Sequence, residues 1–224
     1  YEKEIITKIT KIDEENKTIE LEDTIFYGQS GGQPGDSGEI IANGQKIEVT
    51  NTIKSENIIK NILKDVNDLN INQEIIAKID WDKRYKHMRM HSALHLMCAA
   101  IPLGVTGGQI GYERSRLDFN DPEKKINKEE IEDRINKLMK DDHKIMYEFI
   151  DSNILESKPE LVRTMSVKPP KISGKLRFVK IGNVDFQPCG GTHVNSTKEI
   201  GEIKIGKIEN KGKMNRRVNI LIND

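Results

Sequence analysis

The sequence predicts an α+β protein in two parts, a small barrel-like β domain over residues 1–85 and an α+β domain over residues 86–224. Three observations predict it. Up to Trp81 the chain alternates short β-branched runs with turn residues, the pattern of a small barrel or sandwich. The stretch DKRYKHMRMHSALHLMCAAI that follows lacks glycine and is rich in Met, Leu and Ala, which are strong helix formers. The last third returns to alternating, strand-like runs, so strands and helices share the second part.

In chain order, EIITKITKI, KTIELED, GEIIANGQKIEV and QEIIAKI read as strands, and ENIIKNILKDV as either a helical or a strand insertion. The helix after Trp81 closes at Pro102. Glycines then punctuate PLGVTGGQIG, and RSRLDF alternates like a strand. DPEKKINKEEIEDRINKLMKDD reads as a helix with Asp121 as its cap and Pro122 at its first position. A further short helix is expected in SNILESKPELVRTM. KLRFVKI is a strand, and EIGEIKIGKIE, the turn NKGK and NRRVNILI form a closing hairpin.

Composition excludes several classes. The 36 basic and 36 acidic residues cancel to a net charge of zero, so no overall basic field drives indiscriminate nucleic-acid binding. The two cysteines, Cys98 and Cys189, are too few for a secreted disulfide framework. No signal-peptide run opens the chain, and no apolar run reaches the ~20 residues a membrane span needs. A soluble, cytoplasmic protein with free thiols and no membrane partner is expected. Tyr1 is not methionine, so at least one residue is expected before it. Monomer and dimer are equally compatible with the sequence.

Chemistry concentrates in two places. His87, His91 and His95 are spaced four apart, and Cys98 follows three residues on, so all four share one helical face. At ~1.5 Å rise per residue, His87 and His95 lie ~12 Å apart along the axis, too far to reach one ion. Only a neighbouring pair can share a metal: His87 with His91, His91 with His95, or His95 with Cys98. Far downstream, QPCGGTHV sets Cys189 four residues before His193. Imidazole and thiolate together are zinc ligands, whereas magnesium and calcium want oxygen. A Cys189–His193 nucleophile pair competes with the metal reading, but it leaves the helical histidines unexplained.

The helical HxxxH at His91 and His95, followed ~100 residues later by CGGTHV, resembles the editing domain of alanyl-tRNA synthetases and the freestanding alanyl-tRNA editing proteins that share it. FYGQSGGQPGDSGEI, MRMHSALHL, VTGGQI, RLDF and QPCGGTHV follow in the family's order and cover nearly the whole chain. One departure is Gly28, where relatives often carry proline. The resemblance implies an α+β editing domain over 86–224, with His91, His95, Cys189 and His193 as zinc ligands and His87 and Cys98 as neighbours. It implies a stand-alone editor that hydrolyses the ester of Ser-tRNA, and of Gly-tRNA as a further substrate, on tRNA for alanine. Nothing here resembles a synthetase's adenylate-forming or acceptor-binding domains. A zinc-stabilised, non-catalytic RNA-binding module is the alternative.

A group that hydrogen-bonds the serine hydroxyl would be left unpaired by alanine, so correct product would be spared. Gln33, Thr106 and Thr192 are the candidates. Gln33 lies in SGGQPGDSG, which lacks the GK[ST] ending of a phosphate loop and reads otherwise as tight turns. For RNA contact, KPPKISGKLRFVK and KIGKIENKGKMNRR concentrate positive charge around the Cys189 motif, and Lys168, Lys171, Arg216 and Arg217 are the candidate phosphate contacts.

Overall fold

A computed structural model describes residues 1–163 and 174–223. The chain divides into two compact units, Tyr1–Lys86 and His87–Asp224.

The first unit is a closed barrel. Strands β1 (Glu4–Asp13), β2 (Thr18–Leu21), β3 (Gly38–Ala42), β4 (Gln45–Ser55), β5 (Ile58–Leu63) and β6 (Glu74–Ile79) close in the order β1-β2-β5-β4-β3-β6. Alternation drives this arrangement: in β6 Ile75, Ala77 and Ile79 point inward while Glu74, Ile76 and Lys78 face out, the period-two pattern of a half-buried strand. Their inward partners include Ile9, Ile19, Ile40, Val49 and Leu63. ENIIKNILKDV supplies strand β5, with Asn61 and Leu63 turned inward and pairing to both β2 and β4.

SGGQPGDSG is a folded loop on this barrel. A Cβ at Gly35 would lie 1.8 Å from the Thr52 carbonyl oxygen, so the loop can press against β4 only with glycine there. Asp36 anchors the other side. Its carboxylate accepts from the Tyr27 backbone N–H at 2.6 Å and pairs with the Arg84 guanidinium. Gln33 is buried, and its backbone exchanges hydrogen bonds with that of Ser30.

Helix α1 (Trp81–Ala100) has residues on both sides of the division. The Asp80 carboxylate accepts from the Lys83 N–H, which satisfies one of the helix's orphan donors. From Met88 to Ala100 the helix is buried nearly all round. No helix among the described residues is long and apolar enough to cross a membrane.

The second unit has two sheets. One runs β12 (Ile203–Lys211), β13 (Asn215–Ile222), β8 (Ser115–Asn120), β7 (Val105–Gln109), and the other β11 (Asp185–Pro188), β10 (Lys175–Ile181), β9 (Ile145–Asp151). Helix α2 (Lys128–Lys140) buries Ile131, Ile135 and Met139, a single stripe at i, i+4, i+8. It meets β12 through side chains: Asn136 bonds both the N–H and the carbonyl of Ile203, and Glu132 accepts from the Ile205 N–H. A short helix, α3 (Ile154–Ser157), and a 3-10 turn at Pro159–Leu161 lie in SNILESKPELVRTM.

Several local expectations needed correction. Helix α2 starts at Lys128 and is capped by Asn127, not by Asp121. The Asp121 carboxylate instead accepts from the Lys125 and Ile126 N–H groups, and Lys124 is left-handed at φ 56°, a tight turn that no helix can continue. In the closing hairpin Thr197–Ile200 is a 3-10 turn with a capping box, and the strand begins only at Ile203. The glycine-punctuated segment forms strand β7, paired to β8. Strands β9 and β11 went unread in the sequence.

Candidate metal centre

His91 and His95 lie one helical turn apart on α1, and Cys189 and His193 sit on the loop that leaves β11. One ligand atom from each comes within 4.8 Å of every other. Cys189 Sγ lies 3.5 Å from His91 Nε2 and 3.3 Å from His193 Nε2. Ligands bound at ~2.0–2.3 Å around a tetrahedral zinc stand roughly 3.4–3.6 Å apart. The donor set and its spacing therefore fit zinc. His91 and His95 are buried, and Cys189 and His193 are half-buried.

His95, His193 and the loop that carries Cys189 are each held by groups outside the cluster. His95 Nδ1 lies 2.8 Å from Asp185 Oδ2, and Gln187 Nε2 donates to the same carboxylate oxygen at 2.9 Å. That contact leaves Nε2 of His95 to face the cluster, a carboxylate–histidine arrangement that fixes ring and tautomer. His193 Nδ1 lies 3.1 Å from Ser92 Oγ, which also accepts from the Val194 N–H. The loop backbone is gripped by Arg177, whose Nη1 donates to the carbonyls of Cys189 and Gly191 at 2.8 and 2.9 Å. Strand β11 explains part of the geometry: Asp185 and Gln187 alternate along the strand and so share one face, and Cys189 follows directly after its end.

Electrostatics match the arrangement. Burial alone would raise the Cys189 thiol, but the His91 and His193 rings beside it bring it well below its ordinary value, toward the thiolate that binds metal. Burial would lower His95, yet Asp185 and Cys189 raise it to about 10. Burial and the charge of His91 lower His193 to about 3, leaving it neutral.

The remaining sequence candidates are dispersed. His87 and Cys98 are buried on α1 and fall outside the cluster; burial and the Asp185 charge push the Cys98 thiol up to about 12. Thr192 precedes His193 in the ligand loop. Thr106 lies at the β7 bulge, where its hydroxyl is within bonding distance of the Asp118 carbonyl and Asn215 Oδ1. Gln33 belongs to the barrel unit. Arg217 is paired bidentately with Asp118, which also holds Arg116, and Arg216 bonds Asn210. Lys168 and Lys171 lie outside the described residues. Sequence reasoning missed Asp185, Gln187, Ser92 and Arg177. The period-two run DFQPC was the available signal for the first two.

The family model described as "Threonyl and Alanyl tRNA synthetase second additional domain" matches residues 176–219, which contain Arg177, Asp185, Cys189 and His193. The model described as "tRNA synthetases class II (A)" matches residues 1–83. Among curated proteins, the chain is 36% identical to the alanyl-tRNA editing protein AlaX-M of Saccharolobus solfataricus, over 97% of this chain and 93% of that one. It is 33% identical to AlaX-M of Methanosarcina acetivorans, over 96% and 91%. Against the alanine-tRNA ligase of Pyrococcus abyssi it is 33% identical over 85% of this chain and 22% of the ligase. Likeness of this extent, across both units, shows that the chain belongs to the family of alanyl-tRNA editing proteins.

Proposed function

We propose that the chain is a trans-acting, cytoplasmic aminoacyl-tRNA deacylase that uses zinc held by His91, His95, Cys189 and His193. Its substrate is tRNA for alanine mischarged with serine, and with glycine as a second error; the bond broken is the ester to the 3′-terminal adenosine. The observation that carries this reading is the convergence of the four ligand atoms within 4.8 Å in a chain of the alanyl-tRNA editing family.

When bound, zinc supplies Lewis acidity toward an ester carbonyl or a water. The chain's own residues supply positioning. Asp185 and Gln187 hold the His95 ring, Ser92 holds His193, and Arg177 keeps the loop that carries Cys189 and His193 in place. An ester needs less activation than an amide, so a substrate held in the right geometry gains much of its rate from orientation. A pocket shaped for alanine cannot strongly reject an added hydroxyl, which is why a second site is needed. Thr192, carried by the peptide that leads into His193, is the foremost partner for the serine hydroxyl. Thr106 would offer its oxygen rather than its hydrogen, which Asn215 and Asp118 compete for, and Gln33 is a further candidate. Phosphate contact falls to Lys168, Lys171, Arg216 and Arg217, with the charge of Arg217 partly offset by Asp118.

The completeness of the ligand set favours a second reading. Four protein ligands characterise closed, structural zinc, which would make the chain a zinc-stabilised RNA-binding module without catalysis. Deacylation of tRNA charged with serine, glycine or alanine separates the two: turnover of Ser-tRNA with sparing of Ala-tRNA is expected. Cys189→Ala should abolish that turnover while leaving the fold intact, and undiminished activity in it would refute the zinc site. Charge reversal at the four basic residues should weaken tRNA binding and flatten its salt dependence.

A further inference from the structure

Strand β9 carries two aromatic side chains that the core does not use. Tyr147 and Phe149 are 62% and 59% exposed, and their rings meet edge to face with centroids 6.1 Å apart. Among the described residues β9 is the outer strand of its sheet. Register places the rings on the face that carries the ligand supports: Tyr147, Val179 and Gln187 form one cross-strand row, and Phe149 lies opposite Arg177. The Arg177 guanidinium stacks 4.7 Å from the Tyr147 ring while it holds the Cys189 and Gly191 carbonyls. Among the described residues Arg177 has carbonyl and ring partners but no carboxylate, so its charge is left for an anion.

The geometry points to a stacking platform for a single-stranded nucleic-acid 3′ end, in which Tyr147 and Phe149 take the bases just before the terminal nucleotide and Arg177 faces its phosphates. Two strand spacings separate β9 from β11, ~10 Å in all, a distance that the next base or two of an extended strand covers. Exposed aromatics on a sheet, bordered by a cation, are the means by which proteins hold unpaired bases irrespective of sequence. The proposal rests on the deacylase reading for the identity of its ligand, tRNA.

The test is binding, measured by fluorescence anisotropy on the full chain, and needs no turnover. The probes are an uncharged RNA hairpin ending in a single-stranded ACCA and the same hairpin made blunt. Wild type is expected to prefer the overhang. Tyr147→Ala and Phe149→Ala should each weaken overhang binding roughly tenfold and leave the blunt hairpin unchanged, while Phe149→Tyr keeps the preference. Unchanged overhang affinity in the double alanine variant overturns the platform, as does equal loss on both probes. A fall in sedimentation mass with the preference intact assigns the rings to a second copy of the chain and overturns it too. If wild type prefers the overhang but hydrolyses no charged tRNA, the deacylase reading fails and the platform stands.

Discussion

His95 Nδ1 and Asp185 Oδ2 stand 2.8 Å apart in the interior, with Gln187 completing the carboxylate's contacts on that side. The pair fixes which ring nitrogen of His95 faces the cluster. Asp185→Asn keeps the shape but removes the charge that makes the ring basic. Zinc affinity, measured by chelator competition, should fall about 10- to 100-fold, with circular dichroism unchanged. Wild-type affinity in this variant would show that the carboxylate does not support a ligand.

Gly190 gives a different kind of prediction. A Cβ built there meets nothing within 4 Å, so the protein's own packing does not require glycine. Gly190→Ala should therefore melt within about 0.5 kcal/mol of wild type, as surface changes do. If substrate reaches the cluster over this exposed loop, Gly190→Ala should still lower kcat/KM for Ser-tRNA, because the added methyl stands beside Cys189. Full activity would show that this space is not used.

Thr192→Val replaces a hydroxyl with a methyl of similar size. If that hydroxyl pairs with the serine side chain, kcat/KM for Ser-tRNA should drop about tenfold, the worth of one buried hydrogen bond. Gly-tRNA, which has no hydroxyl to lose, should be hydrolysed as before. Equal losses on both substrates would remove Thr192 from substrate sorting.

Asp118 predicts a pH dependence of stability. Burial would raise its carboxyl, but the Arg217 hydrogen bond and the Arg116 charge hold it below its ordinary value. A lowered carboxyl contributes stability that is present above its unfolded value of about 3.9 and is lost as pH falls through the lower folded value. Asp118→Asn should therefore cost about 1 kcal/mol at neutral pH, as partly exposed pairs do. Urea melts should show that difference shrinking below about pH 3.9. A constant difference across that range would mean that the asparagine disturbs packing instead of removing a charge.

The cluster of His91, His95, Cys189 and His193 was legible because each half lies within one short stretch. HxxxH needs only a helix to converge, and CGGTHV needs only a loop. What joined the halves was invisible to spacing, and resemblance supplied it. Asp185, Gln187 and Arg177 went unread for another reason: their roles depend on β10 and β11 pairing in one register, which no local pattern states. Strand β9 escaped because Met146, Tyr147 and Phe149 are exposed and only Ile145 is buried, so HKIMYEFID shows no alternating buried stripe. The start of α2 was misread because Asp121 and Pro122 resemble a helix start, while Asn127 supplies the real one.

Arg177 donates to two carbonyls of the ligand loop and lies against Tyr147, so the loop is tethered by protein as well as by any ion. The loop thereby has an anchor that chelation does not remove. With zinc bound as proposed, Cys189 and His193 would stay close to their places when the ion leaves, and a returning ion would find much of the ordering already done. Metal exchange would then be a local event, reversible without refolding, and the residue that makes it so would never touch the metal.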